Sequence, residues 1–126
     1  MKILIIEDQE NQCRFYREEL EDEGYDVICS QTGDEGMALF MSENPDLVTL
    51  DINLSASEPE GGIKLLRQMK EIRPKVPIIM HTAYCLYKDD FEVWCADAYI
   101  VKSSDMEELK SAIKKLLSAT SAGLQT

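Results

Sequence analysis

The sequence predicts a doubly wound α/β domain, in which a five-stranded parallel sheet is flanked by five helices. Two observations indicate this class: short continuous apolar runs recur along the chain, and segments of helical length separate them. A strand with apolar side chains on both faces is typical of a parallel sheet, which is covered on both sides. Strict alternation of strand and helix implies right-handed crossovers. The length of 126 residues suits a single domain.

Five apolar runs are the predicted strands. After Lys2 the first consists of Ile and Leu alone, and the second is short. The third contains an aspartate, the fourth is followed by a threonine, and the fifth contains a tyrosine. In chain order the runs are Lys2–Ile6, Asp26–Cys29, Leu47–Ile52, Pro77–His81 and Ala98–Val101.

The first two helices are predicted from apolar side chains at three- and four-residue spacing and from the stop signals that follow them. Asn11–Glu23 is followed by Gly24, and glycine commonly ends a helix. Asp34–Ser42 ends before Asn44-Pro45, because the residue before a proline disfavours helical geometry.

Three further helices complete the alternation. Ile63–Ile72 carries apolar side chains at helical spacing and stops before a proline, whereas Tyr87–Cys95 is shorter and less regular. Asp105–Leu117 has the clearest signal, because Ser104 and Glu107 form a capping box at its start.

The composition limits the partners. The chain has 24 acidic and 13 basic residues and a formal charge of −11, so its surface repels nucleic acid and anionic lipid. The N-terminal apolar run is too short for a signal peptide or a membrane span, which predicts a cytoplasmic protein with no membrane contact. No C-x-x-C pair occurs, so reduced, mostly buried thiols are expected rather than a zinc site. The cysteines are Cys13, Cys29, Cys85 and Cys95.

Polar side chains lie at the ends of four predicted strands. They are Glu7 and Asp8, Asp51, Thr82, and Lys102. Because the functional crevice of a doubly wound sheet lies at the carboxyl ends of its strands, these groups are expected to converge. Three close carboxylates repel one another, and Mg²⁺ relieves such repulsion. Singly, each group has a plainer interpretation as a helix cap, a solvated charge or a turn residue.

Several stretches carry a family resemblance. They are ILIIED at residues 3–8, EGYDV at 23–27, NPDLVTLD at 44–51, Thr82-Ala83, and Tyr99 with Lys102 three residues later. Together they resemble the receiver domain family of bacterial response regulators over residues 1 to about 117. The resemblance implies a flavodoxin-like sheet with the strand order 2-1-3-4-5. It places the domain at residues 1–117, and the small, polar residues 118–126 are expected to form a polar tail or the start of a linker.

The resemblance also implies the chemistry of the site. Asp51 would be the phosphoacceptor, and Lys102 would contact the phosphoryl oxygens. Glu7, Asp8, Asp51 and the backbone carbonyl of Asn53 would hold Mg²⁺.

The resemblance further implies a switch. Thr82 would supply the switch hydroxyl, Ala83 a backbone N–H, and Tyr99 the aromatic side chain that turns inward. Two prolines of the family pattern are replaced, by Ser55 after the acceptor and by Ser103 after the lysine. These changes alter loop geometry and remove no chemical group.

The implied function is a phosphorylation-activated signalling switch. The implied partners are a sensor histidine kinase or histidine phosphotransfer protein and a downstream effector domain or protein, with a phosphorylation-dependent dimer also allowed. The chain would not be a conventional enzyme, although it would catalyse its own phosphorylation and slow autodephosphorylation. The alternatives are a phosphorylation-independent scaffold, a flavodoxin and a haloacid-type phosphohydrolase. The acids after the first strand disfavour a flavin phosphate loop, and Asn53 stands where the hydrolase needs a second aspartate.

Overall fold

A computed structural model of the chain describes residues 1–52, 61–83, 96–102 and 106–125. Within these residues the strands form a five-stranded parallel sheet in the order β2-β1-β3-β4-β5, which confirms the predicted order. The strands are β1 Lys2–Ile6, β2 Asp26–Ser30, β3 Leu47–Leu50, β4 Ile78–Thr82 and β5 Ala98–Val101. The bounds of β1 and β5 are the predicted ones, and the ends of β2, β3 and β4 differ from the prediction by one or two residues, which is the usual uncertainty of element ends.

Four helices are described, where five were predicted. They are α1 Glu10–Asp22, α2 Gly33–Glu43, α3 Gly61–Ile72 and α4 Glu107–Gln125. The predicted helix Tyr87–Cys95 lies outside the described residues. None of the helices in the described part of the chain has the length and apolarity needed to cross a membrane.

The last helix is longer than predicted. It ends at Gln125 rather than at Leu117, so most of the stretch assigned to a polar tail is helical. No proline follows Leu117, and serine and alanine cost a helix little, so local propensity allows the continuation. The small and polar residues after Leu117 therefore do not mark the end of the helix. The domain boundary at residue 117 stays a prediction.

The core has two halves, one on each face of the sheet. Successive strand residues point to opposite faces, so Leu4 and Ile6 face α2 and α3, whereas Ile3 and Ile5 face α1 and α4. All four side chains are at most 1% exposed. Coverage of both faces explains why the strands are continuous apolar runs, and it leaves the carboxyl ends of the strands as the place for polar groups.

Candidate functional site

Three carboxylates meet where β1 and β3 end. One oxygen from each of Glu7, Asp8 and Asp51 lies within 4.8 Å of the others. Glu7 and Asp51 are only 2% and 7% exposed. Backbone hydrogen bonds continue beyond the strands and hold both residues, since the Glu7 N–H donates to Ser30 O at 2.9 Å and the Asp51 N–H donates to Ile6 O at 3.2 Å. The predicted acidic cluster is therefore present, and its backbone is anchored.

Lys102 supplies the positive charge at this cluster. Its Nζ donates to Asp51 Oδ2 at 2.8 Å and also to Glu7 Oε2. The Lys102 N–H donates to Thr82 O at 2.7 Å, which ties the residue to the end of β4. One ammonium thus bridges two of the three carboxylates, in the place where the sequence predicted it.

Gln12 is a third partner of this lysine, and it is not among the site residues predicted from the sequence. Its Oε1 accepts from Lys102 Nζ at 2.8 Å. Gln12 lies in the first turn of α1, which begins at Glu10, so Asp8 precedes the helix. No spacing within a helix therefore relates Gln12 to the predicted acids, and no local signal in the sequence marks it.

Burial and charge act against each other at the site. Burial lowers the pKa of Lys102, but its hydrogen bonds to Asp51 and Glu7 outweigh burial, and the net pKa is raised. Burial raises the pKa of Glu7 from 4.5 to about 7, the Lys102 ammonium opposes the rise, and the negative Asp51 adds to it. The charge of a single lysine therefore does not fully neutralise the negative charge of the three carboxylates. The excess of carboxylate oxygen is a donor set that fits a hard divalent cation such as Mg²⁺.

Some of the other residues predicted for the site lie in the described part of the chain, and the rest lie outside it. Thr82 is fully buried at the end of β4, and Ala83 follows it in an exposed position. Tyr99 is half-buried on β5 and packs against the core on the α2 and α3 face. Asn53 lies outside the described residues, as do Ser55 and Ser103.

Gly62 brings α3 against the backbone that carries the acceptor candidate. The Gly62 N–H donates to Ile52 O at 2.8 Å. A Cβ added at Gly62 would overlap the carbonyl oxygen of Asp51 and would lie 2.7 Å from both Asp51 C and Ile52 Cα. The start of α3 therefore approaches the end of β3 so closely that no side chain fits between them.

His81 lies on β4 beside Thr82 and is 5% exposed. Its ring packs on the Tyr16 ring of α1, with centroids 4.8 Å apart. Burial lowers the pKa of His81 from 6.5 to about 4; the nearby Lys102 also lowers it, and Asp51 opposes the shift. The imidazole is therefore neutral when the site operates near neutral pH.

The low pKa of His81 predicts a specific pH dependence. The unfolded chain takes up the proton near pH 6.5 and the folded chain near pH 4, so this group's contribution to stability is complete above pH 6.5. The contribution falls as the pH falls from 6.5 to 4, by about 3 kcal/mol in total, and is lost below that range. Because the chain has one histidine, the C2–H proton NMR signal reports it alone. We expect no midpoint between pH 8 and pH 5, and a midpoint near 6.5 would contradict the prediction.

Comparisons with known proteins agree with this geometry. The family model of the response regulator receiver domain matches residues 3–114. Response regulator ArlR of Staphylococcus saprophyticus is 38% identical over 118 residues, which cover 92% of this chain and 52% of that protein. Regulatory protein AtoC of Escherichia coli is 29% identical over 118 residues, which cover 92% of this chain and 25% of that protein. The chain thus spans about half the length, or less, of these curated relatives.

Solved structures show the same fold. Response regulator TrrA of Thermotoga maritima, in complex with Mg²⁺ and BeF, has a TM-score of 0.86 and 36% identity, with 91% of this chain and 97% of that chain covered. TrrA in complex with histidine kinase ThkA has a TM-score of 0.84 and 37% identity, with 92% of this chain and 97% of that chain covered. A CheY-like receiver domain protein of Methanospirillum hungatei has a TM-score of 0.88 and 31% identity, with 97% of both chains covered.

Proposed function

Because this chain belongs to the response regulator receiver domain family, we propose that it is a phosphorylation-controlled switch whose acceptor is Asp51. The observation that carries the proposal is the environment of this carboxylate. Asp51 is almost fully buried, it accepts a hydrogen bond from Lys102 at 2.8 Å, and it shares a 4.8 Å cluster with Glu7 and Asp8. A structural aspartate does not need two further acids beside it, because each adds repulsion.

The chemistry assigned to the chain is nucleophilic attack by a carboxylate. An Asp51 oxygen bonds to phosphorus while the bond between phosphorus and the donor breaks, and the donor leaves as an imidazole or a carboxylate. Lys102 offsets the negative charge of the phosphoryl oxygens, and Gln12 helps to orient its ammonium. When bound to Glu7, Asp8, Asp51 and the Asn53 carbonyl, Mg²⁺ supplies charge neutralisation at the same oxygens.

The switch is assigned to the ends of β4 and β5. A phosphoryl group on Asp51 brings new acceptor oxygens, to which the Thr82 hydroxyl and the Ala83 N–H donate. Movement of Thr82 makes room for Tyr99, which is already half-buried on the neighbouring strand. A local charge change then biases a two-state element, as in other phosphorylation switches.

The partners follow from the same proposal. The phosphoryl donor is a histidine kinase or a histidine phosphotransfer protein. The complex of TrrA with the kinase ThkA supports a histidine kinase as the donor. The output is an effector domain or protein that responds to the switched surface. The greater length of the curated relatives supports such an effector.

The proposal is tested by phosphorylating the wild-type chain with acetyl phosphate and Mg²⁺. Intact mass spectrometry should show the addition of one phosphoryl group, and chelation of Mg²⁺ should prevent it. Hydroxylamine should remove the group, since it cleaves acyl phosphates and leaves phosphoserine intact. A folded protein that gains no mass at saturating donor would instead be a phosphorylation-independent scaffold.

Replacing Asp8 by asparagine is expected to weaken Mg²⁺ binding by at least about tenfold, because the substitution removes one charged ligand and changes the volume little. The matched control is Glu10→Gln, which removes one negative charge from an exposed residue two positions away. Isothermal titration calorimetry or NMR titration measures both affinities. Equal Mg²⁺ affinity in the two variants would show that Asp8 is not a ligand.

A further inference from the structure

Gln12 is one of three described acceptors around the Lys102 ammonium, and of these three it alone is uncharged. The three N–H donors of the ammonium go to Asp51 Oδ2 at 2.8 Å, to Gln12 Oε1 at 2.8 Å and to Glu7 Oε2. The lysine side chain is only 12% exposed, so a donor that lost its acceptor would find little water to replace it. The three acceptors together therefore fix the direction of the ammonium.

The helix that carries Gln12 holds its amide in this place. Cys13, Tyr16 and Leu20 of α1 pack into the core on one face of the sheet, and each is at most 6% exposed. Gln12 is half-buried beside them. Because close packing of the buried face prevents the helix from turning, the amide oxygen keeps its position. It also holds the lysine without adding a fourth negative charge to the cluster.

We propose that Gln12 is a positioning residue that sets the lifetime of the phosphoryl group on Asp51, an inference that rests on the proposed function. In hydrolysis, the oxygen of a water molecule bonds to phosphorus, the bond between phosphorus and the Asp51 oxygen breaks, and the carboxylate is restored. Both hydrogens of the water leave with the phosphate, as dihydrogen phosphate. Lys102 offsets the charge of the phosphoryl oxygens during this step, and Gln12 keeps Lys102 in the required place.

The same position of Lys102 serves phosphorylation and hydrolysis. In both reactions the charge in the transition state is spread over the three equatorial oxygens of the phosphoryl group. A loosely held ammonium should therefore slow both reactions by similar factors, and the phosphoryl group should persist longer. Two other roles of Gln12 would leave different patterns. A contact with the phosphodonor alone would affect phosphorylation and not hydrolysis, and a role in excluding water would make hydrolysis faster once the amide is lost.

The test replaces Gln12 by methionine, which has a similar length and helix propensity but only a weakly accepting thioether. Protein phosphorylated with acetyl phosphate and Mg²⁺ is separated from the donor, and intact mass spectrometry follows the loss of the phosphoryl group. We expect the rate constants of phosphorylation and hydrolysis both to fall at least about tenfold. The matched control Gln68→Met makes the same change at an exposed position of α3 and should keep both wild-type rates. Unchanged or faster hydrolysis in a folded Gln12→Met protein would overturn the proposal.

Gln12→Glu is the conservative variant, because a carboxylate of the same length also accepts from Lys102. It should bring the hydrolysis rate back to within about threefold of the wild-type rate, and a rate as low as that of Gln12→Met would contradict the role of the acceptor.

NMR spectra of the ammonium groups measure the hold on Lys102 directly, without any phosphoryl group. The Lys102 signal is assigned by its absence from Lys102→Arg. Exchange of its N–H protons with water should be at least about tenfold faster in Gln12→Met than in the wild type, and slow again in Gln12→Glu. Equal exchange in the wild type and Gln12→Met would overturn the role of Gln12 alone. A wild-type chain that gains no phosphoryl group would instead overturn the proposed function.

Discussion

Replacing Asp51 by asparagine is expected to lower phosphoryl incorporation from acetyl phosphate to less than about one-hundredth of the wild-type level. An amide oxygen has the size of the carboxylate oxygen but does not act as a nucleophile toward phosphorus. The variant should fold, because the amide oxygen can still accept from Lys102 and the substitution removes a charge from a crowded acidic cluster. Intact mass spectrometry measures the incorporation, and circular dichroism checks the fold.

The matched control for this experiment is Asp26→Asn. Asp26 is exposed at the start of β2, at the opposite end of the sheet from Asp51, and both aspartates lie in tryptic peptide 18–64. Its substitution removes the same charge from the same peptide and should leave incorporation at the wild-type level. Persistent labelling of a folded Asp51→Asn protein would mean that another residue is the acceptor.

Replacing Gly62 by alanine is expected to destabilise the chain by about 3 kcal/mol, at the upper end of what overpacking costs. The added Cβ would lie 2.7 Å from Asp51 C and from Ile52 Cα, and neither backbone atom can rotate away as a side chain can. Either α3 or the end of β3 must shift, and a shift of the end of β3 would displace Asp51 from Lys102. We therefore expect slower phosphorylation together with lower stability, measured by urea denaturation and by the rate of phosphoryl incorporation.

Gly36→Ala provides the comparison for Gly62→Ala. Both glycines lie in helices, so alanine brings a similar gain in helix propensity at each position. At Gly36, however, the nearest atoms belong to the side chain of Ile6, whose terminal Cδ1 lies 2.6 Å from the added Cβ and can adopt another rotamer. We expect Gly36→Ala to cost at least about 2 kcal/mol less than Gly62→Ala. Equal losses of stability in the two variants would show that the backbone contact at Gly62 is not the cause of the destabilisation.

The sequence predicted the residues that strands position and missed those that helices position. Glu7, Asp51 and Lys102 were found because continuous apolar runs locate strand ends, and parallel strands bring their carboxyl ends to one edge. Gln12 and Gly62 reach the site from α1 and α3, and their approach depends on how each helix packs on the sheet. Such packing has no local pattern in the sequence.

The fold shows the same division between local and non-local information. The alternation of strands and helices was visible in the apolar runs, whereas the strand order came from the family resemblance, because periodicity does not specify which strands are neighbours. The end of α4 at Gln125 was missed because exposure and helix termination produce similar polar sequences. Where a stop signal has a steric cause, as at Asn44 before Pro45, the predicted end lies within one residue of the observed one.

The place of Lys102 on the last strand has a consequence for synthesis on the ribosome. The three acids lie within the first 51 residues, directly after strands β1 and β3, which pair with each other, while their lysine is made 51 residues after Asp51. At about 5–20 residues per second, the interval between them is roughly 3–10 s. During this interval a nascent chain that has paired its first strands carries a carboxylate cluster without its ammonium.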